Sequence, residues 1–347
     1  MEKVKKNIRH LTYDEIESFF ETLGEKKFRA KQVYEWLWQK HAHSFEDMTN
    51  LSKPLRQHLA GTFTFPALSI DATQYSNDGT IKDRFRTADG HLVEGVLIPT
   101  DDRKTACVSS QIGCSLSCKF CATGYMDRKR NLDFDEIYDE VVLINQQSEK
   151  AFEKKLSNIV FMGMGEPLLN YRNVLKAIER ITAPDGLAMS PRRITVSTAG
   201  VAKMIRQLGD DKVKFKLALS LHAANDKKRN EIMPINETNN IKALVDALNY
   251  FYKMTENEIT LEYILFKGFN DSPKDADELV KIYRQVPADL VNIIEYNPID
   301  QAVFEKPDEA TVHQFMTHLE KNRVNARLRH SRGKDIDAAC GQLANKS

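Results

Sequence analysis

Residues 111–121 read QIGCSLSCKFC and place Cys114, Cys118 and Cys121 at C-x3-C-x2-C spacing. Thiolates this close along a chain are typical ligands of a soft metal ion or an iron–sulfur cluster. A structural zinc site closes with four protein ligands, and no histidine or fourth cysteine stands near these three. A four-iron cluster held by three cysteines would leave one iron free to bind a further molecule. The stretch therefore favours a cluster, with a zinc-stapled loop as the alternative.

After the cysteines, the pattern is one of alternating strands and helices. A helix over 135–147 comes first, and short apolar strands then alternate with helices to the end of the chain. The strands are predicted at 158–162, 193–197, 214–221, 258–265, 290–296 and 325–328. Alternation of this kind is typical of parallel strands joined by crossover helices. We therefore predict an α/β fold whose sheet forms an open or closed barrel.

The first 65 residues read as short helices. Thr12 and Glu15 have the spacing of a capping box at the start of the first helix. In the second helix, Trp36 and Trp38 flank an apolar stripe. This arrangement favours a small helical core with tryptophans at its edge over a platform for stacking nucleic-acid bases.

From about Leu68 the hydrophobic period changes to two, as expected for strands, and Asp89-Gly90 has the signature of a hairpin turn. Glu94 lies in the last of these strands, in a row of apolar residues with no evident local partner. It is either a carboxylate that reaches solvent or a desolvated carboxylate suited to act as a general base. We predict a helical accessory domain over 1–65, a β-strand extension over 66–100 and a catalytic domain over 101–347.

Polar and glycine-rich residues follow several of the predicted strands. Because sites in such barrels gather at the carboxyl ends of the strands, we expect these residues to meet around a ligand. Glycines let the backbone approach that ligand closely, and the polar side chains could hydrogen-bond an amino group, a ribose and a carboxylate. The candidate binding residues are Gly165, Glu166, Ser197, Ser220, His222 and Asn297.

Composition bounds the class of protein. The chain of 347 residues is 41% hydrophobic and 29% charged, with a net charge of +1. This balance gives no global sign of nucleic-acid binding, so any such surface must be local. Five cysteines, of which three are clustered, speak against a secreted disulfide framework. The sequence shows neither a secretory signal nor an apolar run long enough to span a membrane, and we expect a cytoplasmic protein.

Several motifs together carry a family resemblance. The stretches RKTACVSSQIGCSLSCKFCATG, MGMGEPLLNY, SPRRITVSTAG, SLHA, MPIN and DIDAACGQL resemble those of radical S-adenosylmethionine (SAM) methyltransferases that modify adenine carbon 2 in 23S ribosomal RNA and tRNA. The resemblance spans roughly residues 90–345. It implies a partial (β/α) barrel of radical SAM type, a 4Fe–4S cluster on Cys114, Cys118 and Cys121, and SAM as second cofactor. It also implies 23S rRNA and tRNA as partners, an electron donor such as flavodoxin, and a monomer.

The resemblance implies roles for single residues as well. Gly165 and Glu166 match the stretch that contacts the SAM amino group. Cys340 matches the cysteine that carries the methyl group, and Cys107 the one that forms a transient disulfide with it. Glu94 matches the base proposed to take the carbon-2 proton. From residue patterns alone, Cys107 and Cys340 could equally be inert buried thiols.

Two other functions remain open at this point. Related resistance enzymes methylate carbon 8 of the same ribosomal adenine, and their match to the GMGEP stretch carries an alanine where this chain has Pro167. The proline favours carbon 2. A zinc-stapled RNA-binding protein without catalysis is the alternative from another class.

Overall fold

A ten-stranded sheet organises the computed structural model, which describes residues 5–346. Its parallel part begins with strand β6 and continues through the strands that alternate with helices. The strands are β1 (Lys6–Asn7), β2 (Phe63–Thr64), β3 (Ser69–Tyr75), β4 (Ile81–Arg86), β5 (Leu92–Pro99), β6 (Lys104–Cys107), β7 (Gln111–Ile112), β8 (Arg130–Asn131), β9 (Asn158–Phe161), β10 (Ile194–Thr198), β11 (Lys216–Ser220), β12 (Ile259–Leu265), β13 (Leu290–Glu295) and β14 (Ala326–Arg329).

Helices connect the parallel strands, as the alternating pattern predicts. The helices are α1 (Tyr13–Thr22), α2 (Phe28–Trp38), α3 (Lys53–Thr62), α4 (Phe134–Phe152), α5 (Tyr171–Thr182), α6 (Ala202–Asp210), α7 (Asp226–Ile232), α8 (Ile241–Thr255), α9 (Pro273–Tyr283) and α10 (Glu309–Lys321). Within residues 5–346, none of them is long and apolar enough to cross a membrane.

The sheet has the strand order β14-β13-β12-β11-β10-β9-β6-β5-β4-β3. Strands β6 and β9–β14 pair in parallel, whereas β3–β6 pair antiparallel. Because β14 and β3 lie at opposite ends of this order, the barrel is open. This confirms the predicted partial barrel with a β extension.

The extension is a meander that continues the sheet beyond β6. A turn at Asp89-Gly90 joins β4 to β5, and Gly90 has φ +83°, which favours glycine. Gly95, on β5, packs so closely on α4 that a Cβ atom would lie 2.6 Å from Glu140 Oε1. The extension is therefore fixed against the helix that follows the cysteines.

The N-terminal helices dock on α4 through polar and aromatic contacts. The predicted capping box is formed: Glu15 N–H donates to Thr12 Oγ1, and Thr12 N–H donates to Glu15 Oε2. Trp38 is not at an edge, because only 2% of it is exposed and it packs on Tyr138 of α4. The edge position predicted for Trp38 is therefore wrong. The hydrophobic period correctly placed Trp38 beside the apolar stripe, but it gives no information on which side chains α4 covers.

Candidate active site

An open cavity of about 1160 Å³ lies at the carboxyl ends of the parallel strands. Most of the candidate residues meet on its wall, as expected for strand ends of an α/β barrel. They are Cys107, Cys114, Cys118, Cys121, Gly165, Glu166, Ser197, Ser220, His222 and Cys340.

The loop after β7 holds the clustered cysteines at this wall. Cys121 N–H donates to Cys118 O at 3.3 Å, and Gly124 N–H donates to Cys121 O at 2.9 Å. Gly124 approaches the backbone of Cys118 so closely that a Cβ atom would lie 2.6 Å from its carbonyl oxygen. Burial raises the pKa of Cys114 to about 11. It also raises the pKa of Cys118, which its two cysteine neighbours raise further. Thiolates at this position therefore need a positively charged partner, which iron supplies.

The spacing of the three sulfurs bears on which metal they suit. Tetrahedral zinc with bonds of about 2.3 Å brings its sulfur ligands within about 4 Å of one another. Among residues 5–346, the group of ligand atoms that all lie within 4.8 Å of one another belongs to His10, Asp133 and Asp135, not to the cysteines. The three cysteine sulfurs therefore do not form so compact a group in the described part of the chain.

The turn after β9 presents Glu166 to the cavity. Gly165 has φ +91°, and a Cβ atom there would lie 2.4 Å from Gln111 Cβ, so only glycine fits. The buried Glu166 carboxylate accepts hydrogen bonds from Leu168 N–H at 3.0 Å and Ala199 N–H at 2.7 Å. A carboxylate has about four lone-pair sites. Glu166 therefore retains acceptor capacity for a ligand amino group.

Ser197, Ser220 and His222 line the cavity next to this turn. The two serine Oγ atoms lie 3.4 Å apart. His222 Nδ1 accepts a hydrogen bond from Ile264 N–H at 3.1 Å. Burial, helped by the charge of Arg229, lowers the pKa of His222 to about 3. The ring is therefore neutral near pH 7, with its proton on Nε2, where it can donate to a ligand.

Cys107 and Cys340 lie on the same wall although they are far apart in sequence. Burial raises the pKa of Cys107 to about 12, and the proximity of Cys340 adds to this. Arg329, at the end of β14, acts in the opposite direction on both thiols. Its Nη1 lies 3.8 Å from Glu262 Oε2. The two sulfurs therefore share one buried environment whose positive charge is the Arg329 guanidinium.

Asn297 and Glu94 are not on this wall. Asn297 Nδ2 donates instead to Ser331 Oγ at 2.9 Å and to Cys340 O at 3.3 Å, so it holds the backbone at Cys340. Glu94 is buried, as its apolar row suggests, with 1% exposed. The expectation that it lacks a partner is wrong: Lys82 Nζ lies 3.6 Å from Glu94 Oε1. The partner comes from the neighbouring strand, which a periodicity argument within one strand does not see.

Sequence reasoning missed three other charged side chains of the site. Glu262 lies within the apolar strand β12, and this interruption was a signal that could have been noticed. Arg329 was visible only as one of several basic residues near the end of the chain. Arg229 is fully buried and donates to the carbonyl oxygen of Ser220 at a strand end. The sequence around Arg229 gives no sign of this contact.

The open barrel, the cysteine loop and the glycine turn together define a radical SAM enzyme. The Radical SAM superfamily model matches residues 108–280. The model described as "Ribosomal RNA large subunit methyltransferase N-terminal domain" matches residues 6–64.

Full-length relatives narrow the class further. The "Probable dual-specificity RNA methyltransferase RlmN" of Cytophaga hutchinsonii is 58% identical over 99% of this chain and 93% of its own length. The "Dual-specificity RNA methyltransferase RlmN" of Geotalea uraniireducens is 43% identical over 99% of this chain and 97% of its own length. The crystal structure of a radical SAM methyltransferase from Sphaerobacter thermophilus is 38% identical and has a TM-score of 0.92, covering 98% of this chain and 100% of that one. The chain belongs to the RlmN family of dual-specificity radical SAM RNA methyltransferases.

Family membership confirms the predicted enzyme class and its cofactors. Enzymes of this class use a 4Fe–4S cluster and SAM. Family membership therefore sets aside the non-catalytic zinc-stapled protein.

Proposed function

We propose that the chain methylates carbon 2 of adenine in 23S rRNA and in tRNA, with Cys340 as the methyl carrier and Cys107 as the resolving thiol. When bound, the cluster and SAM supply the methyl group and the radical chemistry that an unreactive aromatic carbon requires. The observation that supports the proposal most directly is the shared wall of Cys107 and Cys340 beside the cysteine loop.

The protein's own residues have separate tasks in this scheme. Cys114, Cys118 and Cys121 hold the cluster. Gly165 and Glu166 bind the amino group of SAM, and Ser197, Ser220 and His222 complete its contacts. Asn297, the further SAM contact expected from the sequence, holds the backbone at Cys340 instead. The remaining acceptor capacity of the Glu166 carboxylate supports its part in this set.

The two remaining cysteines and Glu94 act on the RNA base. The sulfur of Cys340 holds the one-carbon unit while its carbon bonds to adenine. Glu94 takes the carbon-2 proton. The Cys107 thiolate then attacks the Cys340 sulfur, forming an S–S bond and breaking the bond between that sulfur and the one-carbon unit. The electron pair of the broken bond stays on the carbon, which takes up a proton and becomes the methyl group. Because the thiolate is the attacking form, the Arg329 guanidinium favours this step by opposing the effect of burial on Cys107.

A second cavity supports an RNA substrate. It has about 1580 Å³ of empty space and shares Cys340 and Arg329 with the first. Arg103, Arg327 and Arg332 also line it. Guanidinium groups recognise phosphate well, so this basic lining could guide an RNA backbone to Cys340.

We assign the rest of the scheme by the same family reasoning. Residues 1–65 act as the RNA-binding accessory domain, 66–100 as an extension and 101–347 as the catalytic domain. The name of the family model that matches residues 6–64 supports the first of these. The enzyme acts in the cytoplasm as a monomer and takes its electron from a donor such as flavodoxin.

Mass spectrometry of the Cys340 peptide tests the proposal. We expect a methyl group on Cys340 in protein prepared with its cluster. A Cys107→Ala variant should retain covalently bound RNA, because no thiol releases it. A Cys118→Ala control, which lacks one cluster ligand, should carry neither modification. Active, cluster-loaded protein with an unmodified Cys340 would refute the carrier role, and 8-methyladenosine in the product would assign carbon 8 instead.

A further inference from the structure

A buried ion pair lies between strands β4 and β5, away from the cavity. Lys82 is 3% exposed and Glu94 is 1% exposed, with Nζ 3.6 Å from Oε1. Burying two opposite charges costs several kcal/mol per ion unless hydrogen bonds satisfy them. The fold alone does not require such a pair at this place, because the neighbouring positions of β5 are apolar.

The side-chain hydrogen bonds of this pair go to one segment, residues 333–346, which we call the Cys340 segment. Glu94 Oε2 accepts from the N–H groups of Ala344 at 2.9 Å and Asn345 at 3.0 Å. Lys82 Nζ donates to Asp337 O at 3.4 Å. These contact points lie on both sides of Cys340.

The Cys340 segment has little structure of its own. Its regular part is a single short 3-10 turn over Lys334–Ile336, so contacts with other elements determine where it lies. The cysteine loop supplies two of them: Thr123 Oγ1 donates to Leu343 O at 2.6 Å, and Ala122 N–H donates to Gly341 O at 2.7 Å. The ion pair supplies further contacts on both sides of Cys340, and because it is ionised its hydrogen bonds are of the stronger, charge-assisted kind.

We propose that Lys82 and Glu94 are positioning residues that hold the Cys340 segment so that the Cys340 sulfur stays at the cavity wall. The two oxygens of Glu94 then have different tasks. Oε2 is occupied by the Ala344 and Asn345 amides, whereas Oε1 is buried without a hydrogen-bond partner. If Glu94 also takes the carbon-2 proton, as the proposed function has it, Oε1 is the oxygen that does so. The positioning role itself depends only on the contacts above.

Hydrogen–deuterium exchange of the cluster-loaded, full-length protein tests the positioning role without reference to activity. Lys82→Met removes the ammonium group, and Glu94→Ala removes the acceptor of the two amides. We expect each to raise the exchange rate of residues 341–346 by at least about tenfold, because a hydrogen bond to a charged group contributes more than that to an equilibrium. Glu94→Gln retains an oxygen that can accept from both amides but loses the charge, so its exchange rate should lie between those of the parent and of Glu94→Ala.

Lys104→Met is the matched control. Lys104 is also a buried lysine of this sheet, but its Nζ donates to Thr100 O at 2.6 Å and lies over the Phe152 ring, away from the Cys340 segment. It should leave exchange over 341–346 unchanged. If Lys82→Met and Glu94→Ala exchange like the parent there, or if Lys104→Met raises the rate equally, the positioning role is wrong.

The extent of Cys340 methylation gives a second readout, which rests on the proposed function. In Lys82→Met and Glu94→Ala it should fall about tenfold at saturating SAM, with the KM for SAM unchanged, because neither residue contacts the SAM wall. Glu94→Gln should restore Cys340 methylation while leaving RNA methylation low, since an amide cannot accept the carbon-2 proton. If the variants change the exchange rate as expected but Cys340 of the parent protein is unmethylated, the carrier role is refuted and the positioning role stands.

Discussion

Replacing Arg229 by methionine is expected to destabilise the strand ends that carry Ala199 and Ser220 on the cavity wall. The guanidinium is fully buried and donates to backbone carbonyls at the ends of two neighbouring strands. Its Nη2 donates to Ala199 O at 2.5 Å and Ser220 O at 3.0 Å, its Nε to Leu221 O at 3.0 Å, and its Nη1 to Asn236 Oδ1 at 2.7 Å. Burial lowers the pKa of Arg229 to about 10, so it remains charged at pH 7.

The size of the effect follows from what the substitution leaves behind. Each acceptor that loses its donor costs about 1–3 kcal/mol when buried. Removing a buried charge returns part of this, because the charge was desolvated. With about 1 kcal/mol per acceptor after this offset, the free energy of unfolding should fall by about 3–4 kcal/mol. The free energy of unfolding of Arg229→Lys should lie between those of the parent and of Arg229→Met, because an ammonium group cannot reach carbonyls on several sides at once.

Urea unfolding followed by circular dichroism measures this change. With an m value of about 3 kcal/mol per molar, the midpoint should fall by about 1 M. The exposed Arg192, near the start of β10, gives a matched control: Arg192→Met should change the unfolding free energy by less than about 0.5 kcal/mol. SAM affinity of the cluster-loaded protein should fall in Arg229→Met as well. A midpoint within about 0.3 M of the parent, with SAM affinity unchanged, would refute the structural role of Arg229.

Two further predictions concern ionisable groups. Arg9 pairs with Asp139 at 2.5 Å and with Asp135 at 3.2 Å in the contact between the N-terminal helices and α4. Arg9→Met should therefore lower the free energy of unfolding by about 3–5 kcal/mol, which urea unfolding measures. A loss below about 1 kcal/mol would contradict the pairing. Burial lowers the pKa of His222 to about 3. Below pH 6.5, the ordinary pKa of a histidine, the unfolded state therefore binds a proton at this side chain and the folded state does not. Stability should therefore fall as the pH drops from about 6.5 towards 3, by up to about 1.4 kcal/mol per pH unit. His222→Asn retains an acceptor for Ile264 N–H and does not titrate, so an equally steep acid slope in this variant would refute the assignment.

The sequence predicted those parts of the site that local patterns encode. Cys114, Cys118 and Cys121 lie within one loop, and their spacing alone indicates a shared metal group. The glycine turn at Gly165 is likewise a local feature, because a positive φ and a close backbone approach both require glycine. The alternation of strands and helices predicted an α/β barrel, because a crossover helix joins parallel strands by general rule, but it did not show whether the barrel is open or closed.

The contacts that sequence reasoning missed join segments that are far apart in the sequence. The apolar row left open whether the Glu94 carboxylate reaches solvent or is buried, and the row does not show that Lys82 faces it. Asn297 was predicted as a SAM ligand because it follows a strand, yet its amide donates to Cys340 O. Periodicity indicates which face of an element a side chain occupies, whereas these contacts depend on where residues 333–346 lie over the barrel.

The route of the Cys340 segment gives a physical reason for the β extension. An open barrel could end at β6, since β6 already pairs with β9. The sheet instead continues through β5 and β4, and these strands place Lys82 and Glu94 beneath residues 337–345. Under the proposed function, Cys340 first receives a methyl group and then meets Cys107. Holding both ends of its segment avoids ordering it afresh in each cycle, which would cost about 1–2 kcal/mol for every residue fixed. The extension removes part of this entropic cost in advance, and we therefore regard β4 and β5 as part of the catalytic unit rather than as a linker.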